Sequence, residues 1–378
     1  MTDISGTINP RFARIQEIFE RNFDTGDDLG ASVALVVDGE MVIDLWGGFI
    51  DQGKTVPWQE DSIVPVYSTS KTMVALCALI LIDRGLLDPF APVAKYWPEF
   101  AANGKDKIEV RHVMSHTSGL PAWEQPVTVD DVYDWDRATS MLAAQSPWWE
   151  PGSASGYELV SYNHLVGELI RRVSGMTPPE FFKQELSGPL NLDYHFGVTP
   201  DIEHRVSPMI PISNPVIDWA TLDPESIMMR TFMGPFFGGA AGSTEYLAYP
   251  FTMNGVTNAR SIARAQAVVS HGGEFEGRTL LSQSTLDLIF EQQSNGIDLV
   301  LGTQTRFGIG YAMPGDDWKV VPKGRTCWWA GMGGSRIVNI LEQRATFAYA
   351  MNNMSPALLI GDPRSTDMVD AIVEILEA

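Results

Sequence analysis

The sequence predicts an α/β (α+β) fold in which one antiparallel sheet is built from both ends of the chain and flanked by helices. Apolar, β-branched runs occur near the start and again close to the end, whereas the segments between them have helical spacing and loops rich in proline and glycine. We therefore expect a sheet domain from residues 1–65 and 294–378, a mostly helical domain from residues 66–293, and an active site at their interface.

The elements of the first half follow from local patterns. Apolar residues between 11 and 23 are spaced for an amphipathic helix. Two apolar runs on either side of Asp38-Gly39 predict a β-hairpin, because this dipeptide is typical of a tight hairpin turn. Residues 73–82 are apolar on nearly every side, which predicts a fully buried helix that ends at Gly85.

The rest of the chain alternates between helical patterns and loops until strand patterns return. Helices are expected at 130–144, 159–173, 179–186, 259–270 and 362–376, and strands at 307–313, 326–331, 335–342 and 346–352. Residues 198–242 form a long loop dense in proline, methionine and phenylalanine, which we expect to line a substrate pocket.

Composition excludes several classes of partner. The 378 residues include 26 basic and 47 acidic side chains, and the net charge of −21 argues against nucleic acid and anionic membrane. No apolar run reaches the roughly 18 residues that a membrane span needs, and no signal peptide is visible, so we expect a cytoplasmic protein. The two cysteines, Cys77 and Cys327, are expected to be buried thiols.

Residues Ser68-Thr69-Ser70-Lys71 place a hydroxyl and an amine three residues apart at the start of the buried helix. Side chains at this spacing lie on one face of a helix and can touch. The helix N-terminus offers free N–H groups to an oxyanion, and its positive potential and burial both lower the pKa expected of the lysine. From this pattern alone, the alternative that Ser68 caps the helix while Lys71 extends to solvent is equally open.

Several ordered motifs together resemble serine β-lactamase-like enzymes, and most closely the family VIII carboxylesterases, relatives of class C β-lactamases and D-Ala-D-Ala carboxypeptidases. The motifs are S-x-x-K at 68–71, HTSGLP at 116–121, PGSASGYE at 151–158, LVGELIRRVSG at 165–175, GGAAGST at 238–244 and WAGMGGS at 329–335. The resemblance implies a β-lactamase-like fold, with Ser68 as the nucleophile, Lys71 as its partner and Tyr157 as the catalytic tyrosine. Taken alone, Tyr157 would be an amphipathic packing residue.

The resemblance also assigns roles near the end of the chain. Trp329-Ala330-Gly331 takes the place of the family's third motif, which implies that these residues border the substrate. The N–H groups of Met332 and Ser68 would then form the oxyanion hole. A phenolate on Tyr157, stabilised by the Lys71 ammonium, could deprotonate the serine. By pattern alone, a strand pair of tryptophans facing the core remains the alternative at 328–329.

Two departures from the family pattern indicate the substrate. Leu159 stands where lactamases of this type carry asparagine, and the third motif has neither lysine nor threonine. Apolar surface therefore replaces polar anchors, which favours neutral esters over anionic lactams. The sequence predicts a serine carboxylesterase that hydrolyses short- to medium-chain esters through an acyl-serine intermediate. An acyltransferase or transesterase, a weak β-lactamase or D-aminopeptidase-type amidohydrolase, and a non-catalytic scaffold remain alternatives, and monomer or homo-oligomer stays open.

Other catalytic patterns fail on their residues. The stretch 152–156 has alanine where the nucleophile of a G-x-S-x-G elbow belongs. His112 and His116 stand four apart but lack the glutamate of H-E-x-x-H, so no metal is expected, and His116 should hydrogen-bond a loop. The glycine-rich residues 238–242 lack the lysine of a phosphate-binding loop. We expect no cofactor and a small-molecule ester as the partner.

Overall fold

The computed structural model describes residues 2–212, 221–234, 244–249, 255–315, 320–357 and 361–378. The helices in these ranges are α1 Ala13–Asp24, α2 Lys71–Asp83, α3 Val110–Met114, α4 Val129–Tyr133, α5 Trp135–Ala144, α6 Ser161–Ser174, α7 Pro178–Phe182, α8 Ile227–Phe232, α9 Thr244–Ala248, α10 Ala259–Ser270, α11 Gln283–Ile289 and α12 Pro363–Glu377. The strands are β1 Ile4–Ile8, β2 Gly30–Val37, β3 Glu40–Gly48, β4 Val64–Pro65, β5 Tyr194–Phe196, β6 Gly255–Thr257, β7 Glu274–Phe275, β8 Arg278–Thr279, β9 Ser294–Ile297, β10 Gln304–Phe307, β11 Thr326–Ala330, β12 Arg336–Ile340 and β13 Ala345–Met351.

Both ends of the chain build one six-stranded antiparallel sheet, in the order β1-β3-β2-β13-β12-β11. Strand β13 pairs with β2, with Ala348 opposite Ala34, and so joins the two ends. The turn between β2 and β3 has φ 49° at Asp38 and φ 84° at Gly39, the left-handed backbone that a tight hairpin turn requires. The predicted fold class is confirmed, as are the hairpin and the last three strands.

The predicted strand at 307–313 is wrong. Strand β10 ends at Phe307, and the chain then turns so that the N–H of Gly308 donates to the carbonyl of Tyr311 at 3.0 Å. A Cβ at position 308 would lie 1.8 Å from the carbonyl oxygen of Ile289, so glycine is needed for this close approach. The alternating apolar residues of this stretch are buried in a turn, which imitates the two-residue period of a strand.

The sheet is covered on both faces, which explains why β2 is apolar along its whole length. Successive side chains of a strand point to opposite faces. Ala31, Val33 and Leu35 accordingly join the core that contains residues of α1 and α12, whereas Ala34 and Val36 join the core that contains α2 and α10. The predicted amphipathic helix at the start of the chain and the closing helix at its end therefore pack on the same face.

Helix α2 lies in the middle of the larger core. Every side chain from Lys71 to Ile82 is buried, as the apolar pattern predicts. The helix ends where Gly85 takes φ 68° and donates its N–H to the carbonyl of Ile82 at 2.9 Å. A 3-10 turn, Tyr67–Ser70, leads directly into the helix, and all four of its residues are buried.

Two of the helices predicted between the strands differ in the structure, and the one predicted at 179–186 is an α-helix only as far as Phe182, followed by a π-helical turn over Lys183–Ser187. The helix predicted at 130–144 is two helices, α4 and α5, because Asp134 takes an extended ψ of 97° and caps α5 through the N–H of Arg137. Helix α10 packs on the sheet, and the N–H of Ala259 donates to Ser32 Oγ of β2 at 3.1 Å. The division of the chain at residues 65 and 294 stays a prediction.

Cys77 and Cys327 are both buried free thiols, as the sequence predicts. Within the described ranges, no helix is long and apolar enough to cross a membrane.

Candidate active site

The predicted nucleophile lies in the 3-10 turn that precedes α2. Ser68 is 8% exposed, and it follows Tyr67, whose φ of 43° is rare for a residue with a side chain. Backbone strain of this kind persists only where the surroundings fix it, as they do in this buried turn. The arrangement holds the Ser68 hydroxyl at the leading end of the buried helix, where the sequence places it.

Lys71 meets Ser68 directly. Its Nζ lies 3.2 Å from Ser68 Oγ and donates to the carbonyl oxygen of Leu159 at 2.8 Å. The lysine is 5% exposed, so it does not extend to solvent, and no side-chain hydrogen bond of a helix cap is formed at this end of α2. Among the described residues, the alternative of a capping serine with a solvent-exposed lysine therefore fails.

Tyr157 completes the cluster, although it is 86 positions beyond the lysine in the chain. Its side chain is fully buried and shares a hydrogen bond with the Ser68 side chain. The indole N–H of Trp329 donates to the Tyr157 hydroxyl at 3.2 Å, and Lys71 Nζ lies 4.9 Å from the centre of the phenol ring. The hydroxyl, the amine and the phenol thus converge at the N-terminal end of α2.

Burial changes the expected division of proton transfer between the lysine and the tyrosine. Loss of solvent lowers the pKa of Lys71 to about 7, opposed by the negative charge of Glu158. Burial raises the pKa of Tyr157 further above its ordinary value, although hydrogen bonds from Ser68 and Trp329 oppose the rise. A neutral amine is therefore accessible near pH 7 and a phenolate is not, so the surroundings favour Lys71 over Tyr157 as the group that accepts the proton of Ser68.

The third motif lies on strand β11, beside the nucleophile. Trp328 and Trp329 are both buried, and Trp329 is the one that contacts Tyr157, with ring centres 5.1 Å apart. Beyond Ala330, a Cβ at Gly331 would lie 2.2 Å from the carbonyl oxygen of residue 66, so only glycine fits. The contact of this motif with substrate stays a prediction.

Two hydroxyls fasten the loop 331–335 to the nucleophile turn. Thr69 Oγ1 and Ser335 Oγ are 3.0 Å apart, and Ser335 Oγ donates to the carbonyl of Val66 at 2.8 Å. Within the described ranges, the backbone N–H groups of Ser68 and Met332 donate to no other residue. Free N–H groups on two segments that are hydrogen-bonded to each other are what an oxyanion hole requires.

His116 has a structural role, as the sequence predicts. Its Nδ1 accepts the N–H of Glu158 at 3.2 Å, and its carbonyl accepts the N–H of Gly156 at 2.9 Å. Burial and the charge of Lys71 lower its pKa well below the ordinary value, so the ring is neutral. No group of histidine, cysteine, aspartate or glutamate side chains in the described part of the chain could hold a metal ion.

Two buried carboxyls beside Tyr157 escaped the sequence analysis. Asp298 Oδ1 accepts three backbone N–H groups, from Tyr157 at 3.0 Å and from Val300 and Leu301 at 2.9 Å each. Glu158 is 0% exposed and accepts a hydrogen bond from Ser118. Asp298 lies far from the nucleophile in the sequence, and Glu158 is the last residue of the motif at 151–158. No spacing rule connects either carboxyl to the nucleophile.

An apolar cavity of about 280 Å³ lies next to the site. Leu159, whose carbonyl holds Lys71, forms part of its wall together with Trp148, Phe232, Met233 and the loop 121–127. Such a lining suits an apolar part of a ligand.

The rim of the cavity carries charge. Arg230 stacks on Trp148, with 3.9 Å to the ring centre, and pairs with Glu124 at 3.0 Å. The predicted pocket loop, 198–242, contributes its residues 230–234, whereas residues 213–220 and 235–243, which include most of the glycine-rich motif, lie outside the described ranges.

The known proteins that are similar to this chain in sequence and in structure point to one family. Residues 19–366 match the model of the family described as Beta-lactamase. The chain is 32% identical to the esterase/beta-lactamase LipL of Mycobacterium tuberculosis over 372 residues, which cover 95% of this chain and 85% of LipL.

Two solved structures are similar over nearly their whole length. A family VIII carboxylesterase superposes with a TM-score of 0.89 at 32% identity. The match covers 99% of this chain and 100% of the carboxylesterase chain. A penicillin-binding protein homolog from Caulobacter crescentus gives a TM-score of 0.92 at 33% identity, with the same coverage.

Proposed function

Because the chain belongs to the beta-lactamase family and is a serine hydrolase, we propose that it is a carboxylesterase that cleaves short- to medium-chain esters through an acyl group carried on Ser68. The observation that carries the proposal is the contact of Lys71 Nζ with Ser68 Oγ at 3.2 Å, beside the hydroxyl of Tyr157. A pKa of about 7 gives this lysine a neutral fraction at the pH at which it must accept a proton.

The proposed first step forms the acyl-serine. The Lys71 amine takes the hydroxyl proton of Ser68 while Ser68 Oγ bonds to the ester carbonyl carbon, and the N–H groups of Ser68 and Met332 hold the oxyanion. When the carbon–oxygen bond to the alcohol breaks, the Tyr157 hydroxyl donates a proton to the leaving oxygen and regains one from the Lys71 ammonium. The alcohol leaves neutral, and the amine is restored.

The second step returns the free enzyme. Water attacks the acyl carbon and its proton passes to Lys71. The bond between the acyl group and Ser68 Oγ then breaks, and the Lys71 ammonium returns the proton to the serine oxygen, so the acid is released and both residues are restored. Every residue named here takes part in a contact of the described site or offers a free N–H to it. The reaction needs acid–base chemistry alone.

The lining of the site favours esters over lactams. Leu159 offers an apolar side chain to the cavity where related lactamases carry an asparagine, and the strand that edges the site carries Trp329 and Ala330 in place of lysine and threonine. A lactam carboxylate would therefore lose its usual cationic partner on this strand. LipL is named both esterase and beta-lactamase, so lactam cleavage is the second activity to measure.

The experiment compares the purified protein on p-nitrophenyl acetate, butyrate and octanoate and on a chromogenic cephalosporin. We expect ester turnover well above lactam turnover, and loss of about 10⁴-fold or more of ester kcat in Ser68→Ala. Ser153→Ala, an exposed serine in the 152–156 stretch, is the matched control and should keep full activity. A fluorophosphonate adduct mapped to a residue other than Ser68, or lactam turnover without ester turnover, would contradict the proposal.

A further inference from the structure

The loop 331–335 is held on the side away from the nucleophile as well as on the side that faces it. Ser335 fastens the loop to the nucleophile turn. On the opposite side lie Asp362 and Arg364, at the start of α12. A Cβ at Gly334 would lie 2.6 Å from Arg364 Nη2 and still closer to Asp362 Oδ2, so the loop packs directly on this pair and only glycine fits. The proposed reaction gives no role to this contact.

Arg364 is a buried guanidinium that is held by several acceptors. It is 4% exposed, and its Nη2 donates to the carbonyl of Gly333 at 2.8 Å and to Asp362 Oδ2 at 2.7 Å. Its Nη1 donates to Asp28 Oδ1 at 2.9 Å and to the carbonyl of Asn353 at 2.8 Å. A planar guanidinium that is shared between two carboxyls keeps one orientation. The loop therefore faces a hydrogen-bond donor in a fixed place.

Two hydrogen bonds connect this donor to the predicted oxyanion hole through peptide groups. The carbonyl of Gly333, which accepts from Arg364, belongs to the same peptide group as the N–H of Gly334. That N–H donates to the carbonyl of Gly331 at 3.1 Å. The carbonyl of Gly331 in turn belongs to the same peptide group as the N–H of Met332. A trans peptide group is planar and its carbonyl and N–H point in opposite directions, so holding one of them orients the other.

We propose that Arg364 is a positioning residue for the oxyanion hole: through the peptide groups 333–334 and 331–332, its guanidinium orients the N–H of Met332 towards the oxygen that becomes negative during ester cleavage. The inference rests on the proposed function, which assigns that N–H to the oxyanion. Donors stabilise an oxyanion best when they are oriented before the reaction begins. Successive hydrogen bonds also polarise one another, so a charged donor at one end strengthens the last N–H as a donor.

The test is the steady-state hydrolysis of p-nitrophenyl butyrate by the wild type and by Arg364→Met. The oxyanion is absent from the bound substrate, so we expect kcat to fall about tenfold and KM to stay within about twofold. Phenylboronic acid, which forms a tetrahedral adduct on a serine oxygen, should lose affinity by the same factor as kcat/KM. Lys71 must be neutral to act, so kcat/KM should rise as the pH passes through about 7, and this acid limb should keep its position in both proteins.

A double variant tests the path from Arg364 to the oxyanion hole. Met332→Pro removes the N–H itself and should lower kcat by about 10²-fold. If Arg364 acts through that N–H, adding Arg364→Met to Met332→Pro should lower kcat little further. Losses that multiply in the double variant would show that Arg364 acts by another route, and the inference would be overturned.

Arg336→Met is the matched control. Arg336 is also a buried arginine that joins the sheet to α12, and its Nη1 donates to Thr366 Oγ1 at 2.9 Å. Within the described ranges, its side chain does not donate to the loop 331–335. Its removal should lower the thermal midpoint, as Arg364→Met does, but leave kcat within about twofold of wild type. Arg364→Lys has one nitrogen in place of three, so it cannot hold both carboxyls and the Gly333 carbonyl, and it should lower kcat about threefold.

The outcomes separate this inference from the proposed function. If the wild type hydrolyses ester and is labelled on Ser68, while Arg364→Met keeps its kcat or loses kcat with no loss of boronate affinity, the role of Arg364 is overturned and the esterase stands. If the wild type neither hydrolyses ester nor is labelled on Ser68, the proposed function itself fails. If Arg364→Met does not fold, an unchanged kcat in Arg364→Lys overturns the inference, and a lower kcat with unchanged KM supports it.

Discussion

Two lysines, Lys71 and Lys105, are both buried in the helical part of the chain, and their surroundings differ in what they offer the amine. Lys105 is 0% exposed, and its Nζ donates to the carbonyl oxygens of Ala102 and Gln145. Burial lowers its pKa to about 8, much as burial lowers the pKa of Lys71 to about 7. Each amine also lies over an aromatic ring, 5.4 Å from Phe100 for Lys105.

The difference shows that burial by itself does not make a lysine a catalytic base. A carbonyl oxygen accepts hydrogen bonds and has no proton to give, so both groups that hold Lys105 keep it as a donor. Lys71 also donates to a carbonyl oxygen, that of Leu159. Its other partner is the Ser68 hydroxyl, which can release a proton to the amine. Because the pKa of both amines is lowered, the partner that bears a proton is what distinguishes Lys71 from Lys105.

The largest expected effect on activity comes from removing the amine of Lys71, which is compared with removing the amine of Lys105. Lys71→Met should reduce ester kcat/KM by about 10³- to 10⁴-fold, the upper part of the range in which a general base contributes, because Ser68 then has no group to accept its proton. The measurement is steady-state hydrolysis of p-nitrophenyl butyrate, together with the thermal midpoint. The midpoint should change little or rise, because a costly buried amine is removed.

Lys105→Met is the matched control for this substitution. It should leave kcat/KM within about threefold of wild type and lower stability by about 1–3 kcal/mol, since two carbonyl groups lose their donor. Equal losses of activity in the two variants would show that the wild-type site depends on helical packing and not on proton transfer by Lys71.

The next effect concerns the hydroxyl that distinguishes the ring beside Lys71 from the ring beside Lys105. Tyr157→Phe makes the two surroundings alike, and it should lower kcat by about 10²-fold, because the leaving alcohol loses its proton donor. The acid limb near pH 7 should persist, because that limb belongs to the lysine. Pre-steady-state hydrolysis of an alkyl ester with a poor leaving group measures this step most directly.

Tyr162→Phe tests whether any buried phenol near the site would give the same result. The Tyr162 hydroxyl has no hydrogen-bond partner in the described ranges and contacts His116 through its ring, so its removal should change kcat less than threefold. A tenfold or greater loss there, or the disappearance of the acid limb in Tyr157→Phe, would refute the assignment of the two proton-transfer roles.

The part of the site that sequence could predict is the part that depends on local spacing or on motif order. Ser68 and Lys71 lie three residues apart, and helical geometry alone brings them together. Tyr157 needed the order of several motifs, because nothing local joins it to the lysine. Glu158 and Asp298 were missed because a buried carboxyl is recognised by its partners, and these partners come from distant segments of the chain.

The fold shows the same division between local and distant causes. The hairpin follows from the Asp38-Gly39 dipeptide, and helix α2 follows from its own apolar residues. Both predictions are confirmed. Strand β1 has the sequence ISGTI and gave no signal, since it is short and lies at the sheet edge, where only β3 specifies it. The turn after Phe307 was predicted as a strand because its buried apolar residues alternate in sequence, as the residues of a strand do.

The smallest effect concerns Leu159, the residue that holds Lys71 and lines the apolar cavity beside the site. The carbonyl of Leu159 holds the amine while its side chain lines the apolar space, so Leu159→Asn changes the wall and keeps the backbone acceptor. We expect kcat/KM for the octanoate ester to fall about three- to tenfold relative to the acetate ester, which corresponds to about 1 kcal/mol of lost apolar contact.

Leu159→Met, which keeps an apolar side chain of similar size, is the control for the wall and should preserve the ratio of octanoate to acetate. The asparagine also restores the amide that lactamases of this type carry, so cephalosporin turnover should rise from its wild-type level. An unchanged ester ratio in Leu159→Asn would place the acyl chain outside the cavity of about 280 Å³, and the substrate-binding side of Lys71 would then have to be sought along Trp329 and Met332. The proton chemistry at Ser68 would be untouched by that result, since the carbonyl of residue 159 holds the amine in either variant.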